Sequence, residues 1–162
     1  MSLEINNLKQ AYDDKKYIFI PNAINLKTFN IEFDFNSLFA LQATRNFQVL
    51  QKGNDVYQTR ELEKEFIFHP YIQYIKNNFK KIFNFHVGPL DFFYSTMGGK
   101  GVPHQDQEHV VILGIKNTTY YHIKNEDITL CPGDLLYIYK GMWHHVFSSR
   151  ERIVLSLSLF EV

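Results

Sequence analysis

His104-Gln105-Asp106 and His144 are the side chains whose types and spacing can do chemistry. In an extended segment residues two apart face the same way, so the imidazole of His104 and the carboxylate of Asp106 are predicted to aim at one spot, just ahead of a strand over Val110 to Ile115. His144 is the candidate third member, at the end of the run Gly133-Asp134-Leu135-Leu136-Tyr137-Ile138-Tyr139-Lys140-Gly141-Met142-Trp143. Two imidazole nitrogens and one carboxylate on one face of an octahedral ion leave three positions open, the arrangement that suits non-haem Fe(II). Those positions admit a bidentate cosubstrate and dioxygen. The donors must be neutral imidazoles and an ionised Asp106, so metal affinity is expected to fall as the pH drops toward the ordinary histidine value of about 6.5.

These residues need a scaffold, and the second half of the chain reads as one. Phe92 to Thr96, Val110 to Ile115, Thr119 to Ile123, Ile128 to Leu130, Leu135 to Tyr139 and Ile153 to Phe160 are short β-rich runs separated by Gly, Pro, Asn, Asp and Ser turns. Strands this closely spaced predict an antiparallel sandwich or barrel rather than a βαβ sheet. The alternation Leu155-Ser156-Leu157-Ser158-Leu159 predicts a strand with an apolar face toward the core and a polar face toward a cavity. In the first half, Tyr17 to Ile20 is a short strand stopped by Pro21. Phe47 to Leu50 and Val56 to Thr59 flank a hairpin turn at Lys52-Gly53-Asn54-Asp55. From Pro70 to Phe83, Ile72, Ile75, Phe79, Ile82 and Phe83 recur at helical spacing opposite Lys76, Lys80 and Lys81, which predicts an amphipathic helix with Pro70 in its first turn. Gly88-Pro89 reads as a change of layer between the halves.

Composition narrows the classes of function. Seventeen basic and seventeen acidic residues in 162 leave no net charge, so no basic field exists for wrapping nucleic acid or holding anionic lipid. The single Cys131 rules out an internal disulfide and a thiolate zinc site, which fits a reducing compartment. Met1 to Asp14 lacks the charged start and apolar run of a signal peptide, and no apolar stretch approaches the roughly 20 residues that cross a bilayer. A soluble cytoplasmic protein of one domain over 1–162 is expected. Its barrel would occupy about 88–162, with the helices and strands of about 10–87 packed on it. An aromatic content of 16% leaves a homodimer possible.

Around the three candidate ligands the sequence resembles the cupin superfamily and, within it, the cupin-like and JmjC-type Fe(II)/2-oxoglutarate oxygenases. Gly98, five residues and then His104-Gln105-Asp106 match the first cupin motif with Asp in place of its second His. Gly133, five residues, Tyr139-Lys140-Gly141, two residues and His144 match the second, with Tyr139 in place of Pro. Val110 and Val111 stand where the four-ligand cupins carry a Glu, which moves the match toward the oxygenases. Gly141-Met142-Trp143-His144-His145-Val146 is similar to the Gly-Trp-Trp-His-x-Val end of the cupin-like oxygenases.

The resemblance implies a mainly β, double-stranded β-helix of jelly-roll type with flanking helices. It implies Fe(II) on His104, Asp106 and His144, 2-oxoglutarate as cosubstrate, and hydroxylation coupled to decarboxylation of the cosubstrate to succinate. JmjC-type enzymes anchor the distal carboxylate with a basic residue at the position of Thr119. Another branch uses an Arg soon after the last ligand with a small hydroxyl residue four further on, and Arg152 and Ser156 fit that pattern. The planar fork of Arg suits a carboxylate. Tyr94, Thr119 and Tyr121 are candidate hydroxyl donors beside it. Two rival readings stay open: a metal cupin acting on a small molecule without 2-oxoglutarate, as a dioxygenase or isomerase, and a non-catalytic cupin-fold protein that binds a small ligand.

Other titratable groups are read more plainly. His69, His86 and His122 are expected to be structural or exposed, His109 to face away from the site, and His145 to point opposite to His144. Glu108 is either a rim carboxylate or a solvated strand-end charge. Trp143 and Phe147 are expected in core packing.

Overall fold

The computed structural model describes residues 5–27, 36, 39–40, 43, 48–60 and 70–162. Phe47 and His69 lie outside them, as does the side chain of Ile72. Among the described residues, the helices α1 (Ile5–Asp13) and α2 (Pro70–Phe83) accompany the strands β1 (Ile18–Ile20), β2 (Val49–Asn54), β3 (Val56–Thr59), β4 (Phe85–Ser95), β5 (Lys100–Gly101), β6 (His109–Lys116), β7 (Thr119–Ile123), β8 (Glu126–Leu130), β9 (Leu135–Ile138), β10 (His144–Phe147) and β11 (Arg152–Glu161). The strand order β1-β9-β6-β11-β4-β3-β2-β5-β10-β7-β8 is antiparallel at every pairing. This is the jelly-roll expected from the spacing of the β-rich runs.

Two apolar layers hold it together. On the outer face of the central strands, Leu90, Phe92, Leu155, Leu157, Val111 and Leu113 pack with Leu8 and Ala11 of α1 and Ile75 and Phe79 of α2. Inside the roll, Val110, Ile112, Tyr121, Ile123, Leu136, Ile138, Val146 and Val154 form a second layer. β6 is buried on both sides, which is why its sequence is an unbroken apolar run with no alternation. β11 alternates as predicted, with its odd-numbered residues from Ile153 to Leu159 in the outer layer. The helix α2 ends at Asn84, whose positive φ of 55° and N–H bond to the Lys80 carbonyl cap it before β4 starts.

Two sequence expectations need correction. Gly88-Pro89 is no boundary: it lies inside the continuous strand β4. Val87 pairs with Leu159 and Leu90 with Leu157, so Gly88 and Pro89 together oppose Ser158 as a β-bulge, a place where a strand tolerates proline. Nor are the first-half strands simply packed on the barrel. β3 pairs with β4, and β2 with β5, so the hairpin bridges the two halves of the roll. Without it, β4 and β5 would both present unpaired edges.

Candidate metal centre and its cavity

Among the described residues one group of His, Cys and carboxylate side chains brings its ligand atoms within 4.8 Å of one another: His104, Asp106 and His144. His104 Nε2 lies 3.5 Å from Asp106 Oδ1, and His144 Nε2 lies 3.5 Å from Asp106 Oδ2. Neighbouring donors at about 2.0–2.2 Å from a first-row divalent ion sit roughly 3 Å apart, so the cluster has the right scale for one ion.

Two of the three residues come from a loop, and His144 is the first residue of β10. β6 starts only at His109, so His104 and Asp106 occupy the extended segment before it. His104 is tied to His144 by an isolated antiparallel bridge. Asp106 is held from the other side, where its carbonyl accepts the Gly141 N–H at 2.8 Å. Gly141 has a φ of +76°, a conformation that costs an L-residue strain. The Gly three residues before His144 thus supplies the turn that brings the two ligand loops together.

Both imidazoles are oriented by their own chains. His104 Nδ1 lies 2.7 Å from the Val102 carbonyl and His144 Nδ1 lies 3.0 Å from the Met142 carbonyl. A carbonyl can only accept, so each Nδ1 carries the proton and each Nε2 keeps its lone pair for a metal. His144 is buried, and burial pushes its pKa down, against the Met142 carbonyl and Asp106, which push it up. The neutral imidazole is the form that ligates. His104 is about half exposed and Asp106 about a quarter, so the cluster opens toward solvent on their side.

The three residues sit in the wall of a cavity of about 750 Å³. Arg152, Ser156 and Tyr121 line the same cavity. Arg152 is fully buried, and its Nε, Nη1 and Nη2 find no hydrogen-bond partner among the described residues. Burial works to lower its pKa. The Tyr121 hydroxyl is pushed up to about 12, first by burial and then by the Asp106 charge, with Arg152 opposing, and so remains a donor. Ser156 shares the cavity face of β11 with Arg152, four residues on.

Tyr94 and Thr119 are placed differently. Tyr94 stacks on Tyr57 at 5.6 Å in the outer layer. Arg152 pairs with Ser95, and alternation sends the preceding Tyr94 to the opposite face. Thr119 is buried, and its hydroxyl finds no partner among the described residues, but it is not among the cavity-lining residues. Glu108 is in the lining and accepts from Ser158 Oγ at 3.3 Å. Trp143 is 62% exposed, against the expectation of core packing, while Phe147 stacks on Tyr120.

His109 faces the other way and is buried. Its Nδ1 accepts the Lys140 N–H at 3.3 Å and lies 3.0 Å from the Tyr137 hydroxyl, and its Nε2 donates to Glu161 at 3.1 Å. Glu161 also binds Lys140 Nζ and the Tyr12 hydroxyl. This network fastens the start of β6, the loop before His144, α1 and the end of β11 together behind the metal loops.

The first half supplies cavity residues that no motif announced: Gln51, Lys52, Gln58 and Arg60 from β2, β3 and the residue after it, with Asp91 on β4. The one available signal was Asp91, a lone carboxylate inside an apolar strand.

No protein-family model and no curated protein sequence matches the chain. Solved structures do match. The ribosomal oxygenase YcfD from Escherichia coli, in complex with cobalt and succinic acid, superposes with a TM-score of 0.78 at 16% identity over 100% of this chain and 52% of that one. Its complex with cobalt and 2-oxoglutarate gives 0.74 at the same identity and coverage. The chain thus spans about half the length of the ribosomal oxygenase. The non-heme α-ketoglutarate-dependent epimerase SnoN from nogalamycin biosynthesis gives 0.69 at 8% identity, over 97% of this chain and 82% of that one. Among the described residues no helix is long and apolar enough to cross a membrane. The strand order, the motif positions and these superpositions agree that the chain has the cupin-like, JmjC-type double-stranded β-helix fold of the 2-oxoglutarate-dependent oxygenases.

Proposed function

We propose that the protein is an Fe(II)- and 2-oxoglutarate-dependent oxygenase acting as a hydroxylase. The observation that carries this reading is Arg152, a fully buried guanidinium without a partner among the described residues, opening onto the same cavity as the His-Asp-His cluster. An unpaired buried charge costs on the order of several kcal/mol, so the cavity calls for an anion. A carboxylate satisfies a guanidinium with two parallel hydrogen bonds. A dicarboxylate that also meets a metal in the same cavity fits both features.

In this mechanism His104, Asp106 and His144 hold the ion through Nε2, a carboxylate oxygen and Nε2. Arg152 takes the distal carboxylate of 2-oxoglutarate, with the Tyr121 and Ser156 hydroxyls as further donors. Iron with 2-oxoglutarate and dioxygen supplies the oxidising chemistry for hydroxylation, releasing succinate and carbon dioxide. The chain supplies orientation and exclusion of water: Val110, Ile112 and Val146 form the apolar wall of the cavity. The two carbonyl-bound imidazoles keep a fixed tautomer throughout.

The test is anaerobic addition of Fe(II) and 2-oxoglutarate to the purified protein. A weak visible charge-transfer band is expected, followed on exposure to air by slow succinate formation, and both should vanish in His104→Ala. No band with Fe(II) bound would overturn the reading in favour of a cupin that uses no 2-oxoglutarate.

A further inference from the structure

β6 opens on a buried histidine where its sequence is otherwise apolar, and the bonds of that ring lead to a turn of the metal centre. The register of β6 with β9 ends at the pair Val110 and Ile138, and Tyr139 and Lys140 lie beyond it. There the His109 side chain takes over from the ladder, its Nδ1 accepting the Lys140 N–H at 3.3 Å. The Met142 N–H closes a turn onto the Tyr139 carbonyl at 3.3 Å, with Gly141 at the third position, where a positive φ suits glycine. The same turn reaches two of the three candidate ligands. Its Gly141 N–H donates to the Asp106 carbonyl, and its Met142 carbonyl accepts from His144 Nδ1. The Lys140 N–H is therefore a hold on this turn from outside the ligand residues.

Packing alone does not call for an imidazole at position 109. The ring is 1% exposed, stacked on Phe85 at 5.2 Å and edge-on to Tyr12 and Tyr139. A phenylalanine would suit those surroundings without burying polar atoms. What the imidazole adds is direction. An acceptor at Nδ1 requires the proton on Nε2, and Nε2 donates to Glu161 Oε1 at 3.1 Å. Glu161 is itself tied to Lys140 Nζ and the Tyr12 hydroxyl. One tautomer satisfies both ends, and it presents a lone pair to the turn. We propose that His109 is a positioning residue for the metal centre. Through the Lys140 N–H it sets the Tyr139–Met142 turn where Gly141 meets Asp106 and Met142 meets His144, so that metal affinity depends on a side chain that touches no metal. This role rests on the reading of His104, Asp106 and His144 as ligands.

Asn and Gln separate the two ends of the ring, because the side-chain oxygen of Asn stands near the place of Nδ1 and the amide nitrogen of Gln near that of Nε2. The whole chain is titrated with Co(II) alone and followed by its visible bands, with urea unfolding of the metal-free samples alongside. His109→Leu and His109→Gln are expected to lower Co(II) affinity about tenfold and to shift the bands, while His109→Asn stays within about threefold of the unsubstituted protein. In the metal-free protein, amide exchange at Lys140 and Gly141 should quicken in His109→Gln and not in His109→Asn. Leu113→Ala, a core change in the outer layer, should lower the urea midpoint without moving Co(II) affinity. Should His109→Leu fail to fold, the Asn and Gln pair decides. Equal affinity in Asn and Gln variants, or affinity that follows the urea midpoint through Leu113→Ala as well, would overturn the inference. Co(II) affinity unchanged in His104→Ala removes the ligand reading and this role with it; affinity lost in His104→Ala and kept in His109→Gln removes only the role.

Discussion

The backbones of His104 and His144 exchange two hydrogen bonds, of 3.0 and 2.9 Å, and their ring centroids lie 4.4 Å apart with the planes tilted by 59°. The two ligands are thereby set against each other by main chain, so removing one side chain leaves the position of the other intact. His104→Ala and Asp106→Ala are therefore expected to lower Co(II) affinity by about 100-fold or more, and His104→Ala, at the more exposed position, to change metal-free stability by only about 0.5 kcal/mol. Titration of the visible cobalt bands and urea unfolding of the same samples check both halves of the expectation.

Arg152 should behave in the opposite sense. Arg152→Met replaces an unpaired buried charge with a side chain of similar length, and is expected to stabilise the ligand-free protein by on the order of 1–4 kcal/mol. The same change should weaken 2-oxoglutarate binding by about 100-fold. Urea midpoints without ligand and calorimetric titration with it would show one rising as the other falls. A protein destabilised by Arg152→Met would mean that the guanidinium already has a partner.

Gly141 isolates a conformational effect. Nothing lies within 4 Å of a Cβ added there, yet its φ is +76°. Gly141→Ala is expected to cost about 1–2 kcal/mol through backbone conformation alone. It should also weaken metal binding, because the Gly141 N–H positions Asp106. Gly141→Asn, which tolerates that conformation better, should recover part of both in the same urea and cobalt assays.

Acid should act in two stages. Burial, acting first, lowers the pKa of His109, although Glu161 pushes it up. The unfolded chain then binds protons that the native state refuses, and stability falls as the pH drops below about 6.5. Glu161 is depressed to about 2, first by its bond from Lys140 and next by His109. Its contribution is complete above the ordinary carboxylate value and disappears as the pH falls from there toward 2. His109→Gln should flatten the upper stage of a pH series of thermal melts, and Glu161→Gln the lower.

Legibility from sequence followed locality. The jelly-roll was readable because each strand declares itself within a few residues, and β11 even declared its faces. The clustering of His104, Asp106 and His144 was readable because the turn at Gly141 and the Nδ1 bonds to carbonyls two residues back are local devices. Gln58 and Asp91 were not readable as a pair, since they meet only through the β3–β4 register. Tyr94 was misplaced for the same reason: its face depends on how β4 pairs with β11. Trp143 was misjudged because an aromatic ring between two buried neighbours, Met142 and His144, is read as core by composition alone.

The bulge in β4 bears on what the cavity can see. Before it, the odd-numbered Phe85 and Val87 belong to the outer layer; after it, the even-numbered Leu90, Phe92 and Tyr94 do. Gly88-Pro89 is therefore a phase converter, shifting the strand's alternation by one residue. Deleting one of the two would exchange the faces of every residue beyond, turning Phe92 and Tyr94 into the cavity and Asp91 into the apolar layer. The chemical character of this wall is thus set by a residue count as much as by residue types, and an insertion or deletion here would rewrite it without touching any residue that lines it.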